Sequence, residues 1–230
     1  MKLKVIFAIL GFFVLIFSCK KSDRVVDDPQ QGKITIAADE SFQSVTEALT
    51  QRYMALNKKT DINLIIKKED SAFLDLLDNK VRVIVMSREL SDREKKAYKD
   101  KVRLDLLPAP FAADAVVFVV AKDSERESIS MSEIKNELGS DEKNVIFDDT
   151  NASNLNFVAQ KLNLVPSQLK FSIIKGNKNV VEQINKQPGK IGVISLNTIS
   201  RPYDKASVDL LNSVKILPVV SEGKSISPEI

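Results

Sequence analysis

Apolar positions along residues 33–220 alternate between strand-like and helix-like periods. Lys33 to Ala37 is a short β-type run, and apolar residues then recur at helical spacing at Phe42, Val45, Leu49, Tyr53 and Leu56. Further strand-like runs, with helical stretches between most of them, lie at 62–66, 81–86, 115–121, 145–147, 171–174, 191–196 and 214–220. This alternation predicts an α/β protein with mixed, mainly parallel sheets flanked by helices.

Local signals strengthen parts of this prediction. Capping-box patterns at Ser91-Asp92-Arg93-Glu94 and Ser130-Met131-Ser132-Glu133 predict that a helix begins at each of them. The run at 115–121 contains no polar residue, so we expect a strand that is buried on both faces.

The first residues have the pattern of a secretory leader. Lys2 and Lys4 precede an apolar run at 5–17, which is short for a bilayer span but typical of a signal. Residues 15–19, Leu-Ile-Phe-Ser-Cys, resemble the lipobox of bacterial lipoproteins, which implies cleavage before Cys19 and acylation of that residue. The alternative is an ordinary signal or membrane anchor with an incidental cysteine. We therefore expect a lipoprotein signal at 1–18 and a polar tether at 19–32.

Composition excludes several classes of function. The net charge is only +3, and Lys and Arg are interleaved with Asp and Glu, so nothing favours nucleic-acid binding. Cys19 is the only cysteine and histidine is absent, which excludes internal disulfides, Cys- or His-based metal sites and histidine-dependent catalysis. We expect no enzyme, no catalytic residue, no metal and no cofactor.

Three polar turns follow predicted strands, at 39–42, 86–89 and 148–154. Ligands of open α/β folds bind at the carboxyl ends of strands, where helix N-termini favour anions. Each turn has a plainer interpretation as a helix cap, and Arg88 as a surface salt bridge.

The order of five stretches resembles the phosphate-binding protein of the bacterial high-affinity phosphate transporter, and more closely its lipoprotein relatives. These proteins belong to the periplasmic-binding-protein-like (type 2) superfamily. The stretches lie at 34–42, 83–90, 113–120, 145–148 and 189–196. The resemblance implies two α/β lobes with an anion between them, which we expect at 33–112 and 113–230.

The resemblance also implies the ligand, its partners and its site. The ligand would be phosphate or a similar oxyanion, and the partners would be an ABC transporter permease and, through the lipid anchor, the membrane. The expected ligand-binding residues are Ser41, Ser87, Arg88, Asn151, Ser153 and Asn154.

Two departures from the family pattern bear on these expectations. Asp148 and Asp149 stand where the family carries a Gly and often an Arg, and an acidic pair costs anion binding unless one carboxylate accepts a proton from the ligand. The Tyr-Pro-Leu-x-Arg-like segment that returns to the first lobe in the family is not recognisable here. We therefore expect the first lobe to be less completely covered than the second.

The leading hypothesis is a solute-binding lipoprotein of a phosphate-type ABC transporter. The alternative is a surface lipoprotein that uses the same scaffold for sensing or protein contact without transporting an anion. A third class, a hydrolase built around Ser41 or Ser87, lacks an obvious base for the serine, although a lysine can act as one.

Overall fold

The computed structural model describes residues 28–149 and 152–228. The predicted signal, Cys19, most of the tether and Asn151 lie outside these residues. Within them, the strands form one five-stranded and two three-stranded sheets, and helices pack against these sheets. This is the expected α/β fold with mixed sheets.

The first lobe is built from strand–helix–strand units in the first part of the chain. Its elements are β1 (Gln31–Ala38), α1 (Gln43–Leu56), β2 (Lys59–Ile66), α2 (Glu69–Leu77), β3 (Val83–Val85) and α3 (Asp92–Val102). The sheet has the order β2-β1-β3 and is parallel throughout. β1 and β3 are neighbouring parallel strands, so the turns that follow them lie side by side at the carboxyl end of the sheet.

The second lobe contains a larger, mixed sheet. Its elements in the described residues are β4 (Val116–Ala121), β5 (Ile129–Ser130), α4 (Met131–Glu137), β6 (Val145–Phe147), α5 (Ser153–Lys161), β7 (Ser172–Ile173), α6 (Asn177–Lys186), β8 (Ile191–Ser195), α7 (Lys205–Asn212), β9 (Val214–Leu217), β10 (Val219–Ser221) and β11 (Lys224–Ile226). The main sheet has the order β7-β6-β8-β4-β9, with β4 antiparallel to β8 and β9. The expected burial of the apolar run at 115–121 is confirmed, because β4 is buried along nearly its whole length.

The strand predicted at 214–220 is wrong as a single element. Pro218 divides it, because proline has no N–H for a sheet ladder. The residues before Pro218 form β9, which pairs with β4, whereas those after it form β10 of the small sheet β11-β10-β5. The carbonyl of Pro218 still accepts a hydrogen bond from the Ile129 N–H at 3.0 Å.

Both predicted capping boxes are confirmed. Ser91 accepts a hydrogen bond from the Glu94 N–H, and Ser130 from the Glu133 N–H, while each glutamate accepts one from the serine N–H. The helix α7 was not predicted.

A glycine brings one helix close to the second-lobe sheet. Gly192 lies in β8, and a Cβ atom there would come within 2.9 Å of Val180 Cγ1 in α6 and 3.0 Å of Val119 Cγ2 in β4. Such distances are shorter than side chains tolerate, so the hydrogen of Gly192 sets how closely α6 packs on the sheet.

The first lobe exposes more apolar surface than the second. A groove of about 660 Å³ crosses its sheet, lined in part by Ile34, Ile36, Leu49, Tyr53, Val83 and Phe111. The second-lobe sheet, in contrast, has a buried cluster on each face. Among the helices of residues 28–149 and 152–228, none combines the length and the apolar character needed to cross a bilayer.

We expect the first lobe to open at lower free energy than the second. Fewer buried apolar contacts make local opening easier, so amides of β1 and β2 should exchange faster than those of β4 and β8. Hydrogen exchange of the full chain, followed by mass spectrometry, measures this difference. Equal protection of the two sets of strands would contradict the prediction.

Candidate ligand-binding site

The carboxyl edge of the first-lobe sheet faces the start of α5 in the second lobe. Asp39 and Ser41 follow β1, Ser87 follows β3, and Ser153 begins α5. The Ser87 hydroxyl lies 3.4 Å from the Ser153 carbonyl oxygen, to which it can donate. Polar turns that are far apart in the sequence therefore meet between the lobes.

Asp39 organises the first-lobe side of this junction. Its side chain is fully buried, and its carboxylate accepts hydrogen bonds from the Ser41 N–H at 3.0 Å and the Glu69 N–H at 3.2 Å. It therefore caps both the short 3-10 turn Glu40–Phe42 and the N-terminus of α2, whose own preceding residue, Lys68, provides no side-chain cap.

Glu69, the first residue of α2, is the centre of the junction. Its carboxylate is buried and accepts from the Ser87 N–H at 3.3 Å and the Ser87 hydroxyl at 3.1 Å. It also accepts from the Ser153 hydroxyl at 3.0 Å and the Asn156 amide at 3.2 Å. Donors from both lobes thus converge on a single carboxylate.

Arg88 completes the surroundings of Glu69. Its Nε lies 2.7 Å from Glu69 Oε1, in an ion pair whose angle is too bent for a hydrogen bond. Its Nη1 and Nη2 donate to the two carboxylate oxygens of Glu94 at 2.8 and 2.9 Å. The Arg88 side chain is only 8% exposed, so it is a buried bridge between two carboxylates and not a surface salt bridge.

Burial opposes ionisation of both glutamates, but their pKa values shift in opposite directions. For Glu69, desolvation raises the pKa, and Arg88 with the hydrogen bonds from Ser87, Ser153 and Asn156 opposes it only in part. For Glu94, burial also opposes ionisation, but the hydrogen bonds from Arg88 and Ser91 outweigh it and lower the pKa to about 2.

Asp148 occupies a second charged position on the same junction. Burial raises its pKa, the Lys68 ammonium 3.3 Å away lowers it, and nearby Asp39 raises it. The Asn154 amide donates to Asp148 at 3.3 Å and to Asn177 at 3.0 Å. Lys68 reaches Asp148 from the first lobe, so this pair also joins the lobes.

A cavity of about 470 Å³ lies beside the Glu69 cluster. Its polar lining residues are Ser41, Ser87, Asp114, Ser153, Asn154 and Ser195. Asp114 is the only charged residue that lines it in the described part of the chain. The Asp114 carboxylate accepts from the Ser195 hydroxyl and from the Asn197 N–H at 3.1 Å.

Four of the expected ligand-binding residues, Ser41, Ser87, Ser153 and Asn154, line this one cavity. Arg88 is buried behind it, and Asn151 lies outside the described residues. Sequence reasoning missed Glu69, although it stands in a polar strand-to-helix turn like the three that were singled out. Asn156 lies inside a helix and gave no such signal. Whether any of these residues binds a ligand stays a prediction.

A family model described as a PBP superfamily domain matches residues 26–228. The chain belongs to the periplasmic-binding-protein-like superfamily. No curated protein matches it significantly.

Several solved structures share the fold. A candidate phosphate ABC transporter substrate-binding protein with bound phosphate from Clostridium perfringens is 16% identical, with a TM-score of 0.61 over 84% of this chain and 76% of that one. An ABC-type phosphate transport receptor from Vibrio cholerae is 13% identical, with a TM-score of 0.58 over 82% and 76%. The CcmR regulatory domain of Synechocystis PCC6803 in complex with 2-PG is 12% identical, with a TM-score of 0.55 over 82% and 81%. At these identities the likeness establishes the fold alone.

We expect Glu94→Gln to reduce stability in a pH-dependent way. Because the pKa of Glu94 falls from 4.5 to about 2 on folding, its contribution is fully present above the unfolded value and is lost as the pH falls towards 2. The loss at neutral pH should be about 1–2 kcal/mol, given hydrogen bonds to a partly solvated ion. Urea denaturation at a series of pH values measures it.

The control is Glu89→Gln, since the Glu89 side chain is 83% exposed and pairs only loosely with Lys95. That variant should differ from wild type by less than about 0.5 kcal/mol. A Glu94→Gln deficit that stays constant from neutral pH to pH 2 would contradict the assignment.

Proposed function

We propose that this protein is a solute-binding lipoprotein of a phosphate-type ABC transporter. It captures phosphate or a similar oxyanion between its two lobes and delivers it to a membrane permease. Capture and release need no covalent step, only opening and closing of the lobes around the solute. The lipid on Cys19 holds the protein at the membrane of the cell envelope, on the periplasmic or outer side.

The observation that carries the proposal is the convergence of donors from both lobes on one carboxylate. Ser87 and Arg88 of the first lobe and Ser153 and Asn156 of the second surround the Glu69 carboxylate. A carboxylate is itself an oxyanion, and hydroxyl, amide and guanidinium groups are the donors that oxyanions prefer. The same donors suit a solute of that class.

The relatives support the same class of ligand. The Clostridium perfringens structure holds a bound phosphate, and the Vibrio cholerae protein is a phosphate transport receptor. Both share the two-lobed fold with this chain. In this fold the ends of β1 and β3 and the start of α5 meet, which brings Ser41, Ser87 and Ser153 to the junction.

A second candidate function is favoured by the carboxylates already present at the junction. Glu69 accepts the hydrogen bonds of the converging donors. Three further acidic residues lie around these donors, namely Asp39, Asp114 and Asp148. A scaffold in this state can serve as a surface lipoprotein for sensing or protein contact without oxyanion transport. The likeness to the CcmR regulatory domain is consistent with such a role.

Calorimetric titration tests the leading proposal. The full-length protein in detergent should bind phosphate or sulfate saturably, with one anion per chain. A neutral polyol of similar size should give no saturable heat. If neither anion binds to the wild type or to a variant in which Glu69 is replaced, the second candidate function is the better account.

Cys19→Ala should release the protein from the membrane. A lipoprotein needs the thiol for acylation, and two or more acyl chains anchor stably where one chain anchors only marginally. Membrane fractionation with mass spectrometry of the mature N-terminus measures the change. The control Ser22→Ala should remain in the membrane fraction. A free thiol on correctly cleaved wild-type protein would refute the anchor.

A further inference from the structure

Ser87, Ser153 and Asn156, which donate between the lobes, are engaged by the protein's own acidic side chains. The Ser87 hydroxyl and N–H, the Ser153 hydroxyl and one Asn156 hydrogen bond go to Glu69. The remaining Asn156 contact goes to Asp70 at 2.6 Å. An incoming oxyanion therefore cannot bind these donors of Ser87, Ser153 and Asn156 while Glu69 stays in place.

The N-terminus of α2 is occupied in the same way. Helix N-termini that follow a strand are where anions bind in such folds, because their N–H groups are unsatisfied. Here the Glu69 N–H donates to Asp39 instead. The Asp39 carboxylate thus caps the helix. The Glu69 carboxylate accepts the hydrogen bonds that Ser87, Ser153 and Asn156 donate.

Glu69 also connects the two lobes. It belongs to the first lobe, yet Ser153 and Asn156 of α5 donate to it from the second. A bound solute has this bridging role in proteins that close around their ligand. Glu69 makes this bridge with the protein's own side chains.

We propose that Glu69 is a tethered internal ligand, which occupies the oxyanion position and keeps the lobes closed until a solute displaces it. The inference rests on the proposed function for the class of solute. The adjoining cavity, which shares Ser87 and Ser153 with the cluster, gives a solute a place to enter beside Glu69. Because two negative charges repel strongly in a buried site, oxyanion and carboxylate do not share the donors.

Replacing Glu69 should therefore strengthen oxyanion binding. Affinity of a site that is free only part of the time falls in proportion to that fraction, so Glu69→Ala should raise the phosphate or sulfate affinity by about tenfold or more. Glu69→Gln keeps the shape and most contacts but removes the charge, and it should give a smaller increase. Calorimetry with inorganic phosphate and with sulfate measures both variants.

Glu40→Ala is the matched control. It removes one carboxylate of the same lobe, but the Glu40 side chain is 52% exposed and pairs with Lys68 outside the donor cluster. It should change the affinity by less than about threefold, since an exposed charge is screened. An equal increase in Glu40→Ala and Glu69→Ala would mean that net charge, and not occupancy of the donors, controls binding.

A second measurement separates this inference from the proposed function. Spin labels on the two lobes report their separation without any solute. In Glu69→Ala the lobes should open, and phosphate or sulfate should close them again. If the lobes open but no anion binds, the proposed function fails. The inference that Glu69 keeps the lobes closed would still stand. If anions bind equally to the wild type and both Glu69 variants and the lobes stay closed, the inference is overturned.

Discussion

The buried ion pair of Glu69 and Arg88 is the interaction on which the junction between the lobes depends. Both charges have left water, and such a pair is stable only when hydrogen bonds satisfy the remaining polar atoms. Here Ser87, Ser153 and Asn156 do so for Glu69, and Glu94 does so for Arg88. Removing one partner of a buried pair leaves the other uncompensated, at a cost of about 3–5 kcal/mol. The relative position of the lobes is thus tied to one carboxylate.

The acidic loop of the second lobe has a compensation that the sequence did not reveal. Asp148 is buried, and alone it would be an uncompensated charge. Lys68 approaches it from the opposite lobe, and Asn154 donates to it from the start of α5. A cation near this loop is therefore present, but it is provided by the first lobe. The charges at this part of the junction are thus balanced between the two lobes.

Signals between near neighbours in the sequence predicted most helices and strands. The contacts at the junction depend on residues that are far apart in the sequence. The period of the apolar residues and the capping boxes at Ser91 and Ser130 depend on neighbours in the sequence, so those predictions were sound. Glu69 acquires its role from Ser153 and Asn156, which lie more than eighty residues away, and no sequence period reports such a pairing. Pro218 is a local signal for the division of the last predicted strand, but the sheet that each part joins depends on distant strands. The turns were found, but the contacts among them were not.

Gly192 links the interior of the second lobe to the junction. The space left by its missing side chain lets α6 lie close to the sheet. The first residue of that helix, Asn177, accepts from Asn154 at 3.0 Å and from the Ser195 N–H at 3.3 Å. A methyl group at residue 192 would press on Val180 of this helix, so something here would have to shift. The small size of Gly192 therefore bears on the spacing of the polar groups beside the cavity, although Gly192 does not itself line the cavity.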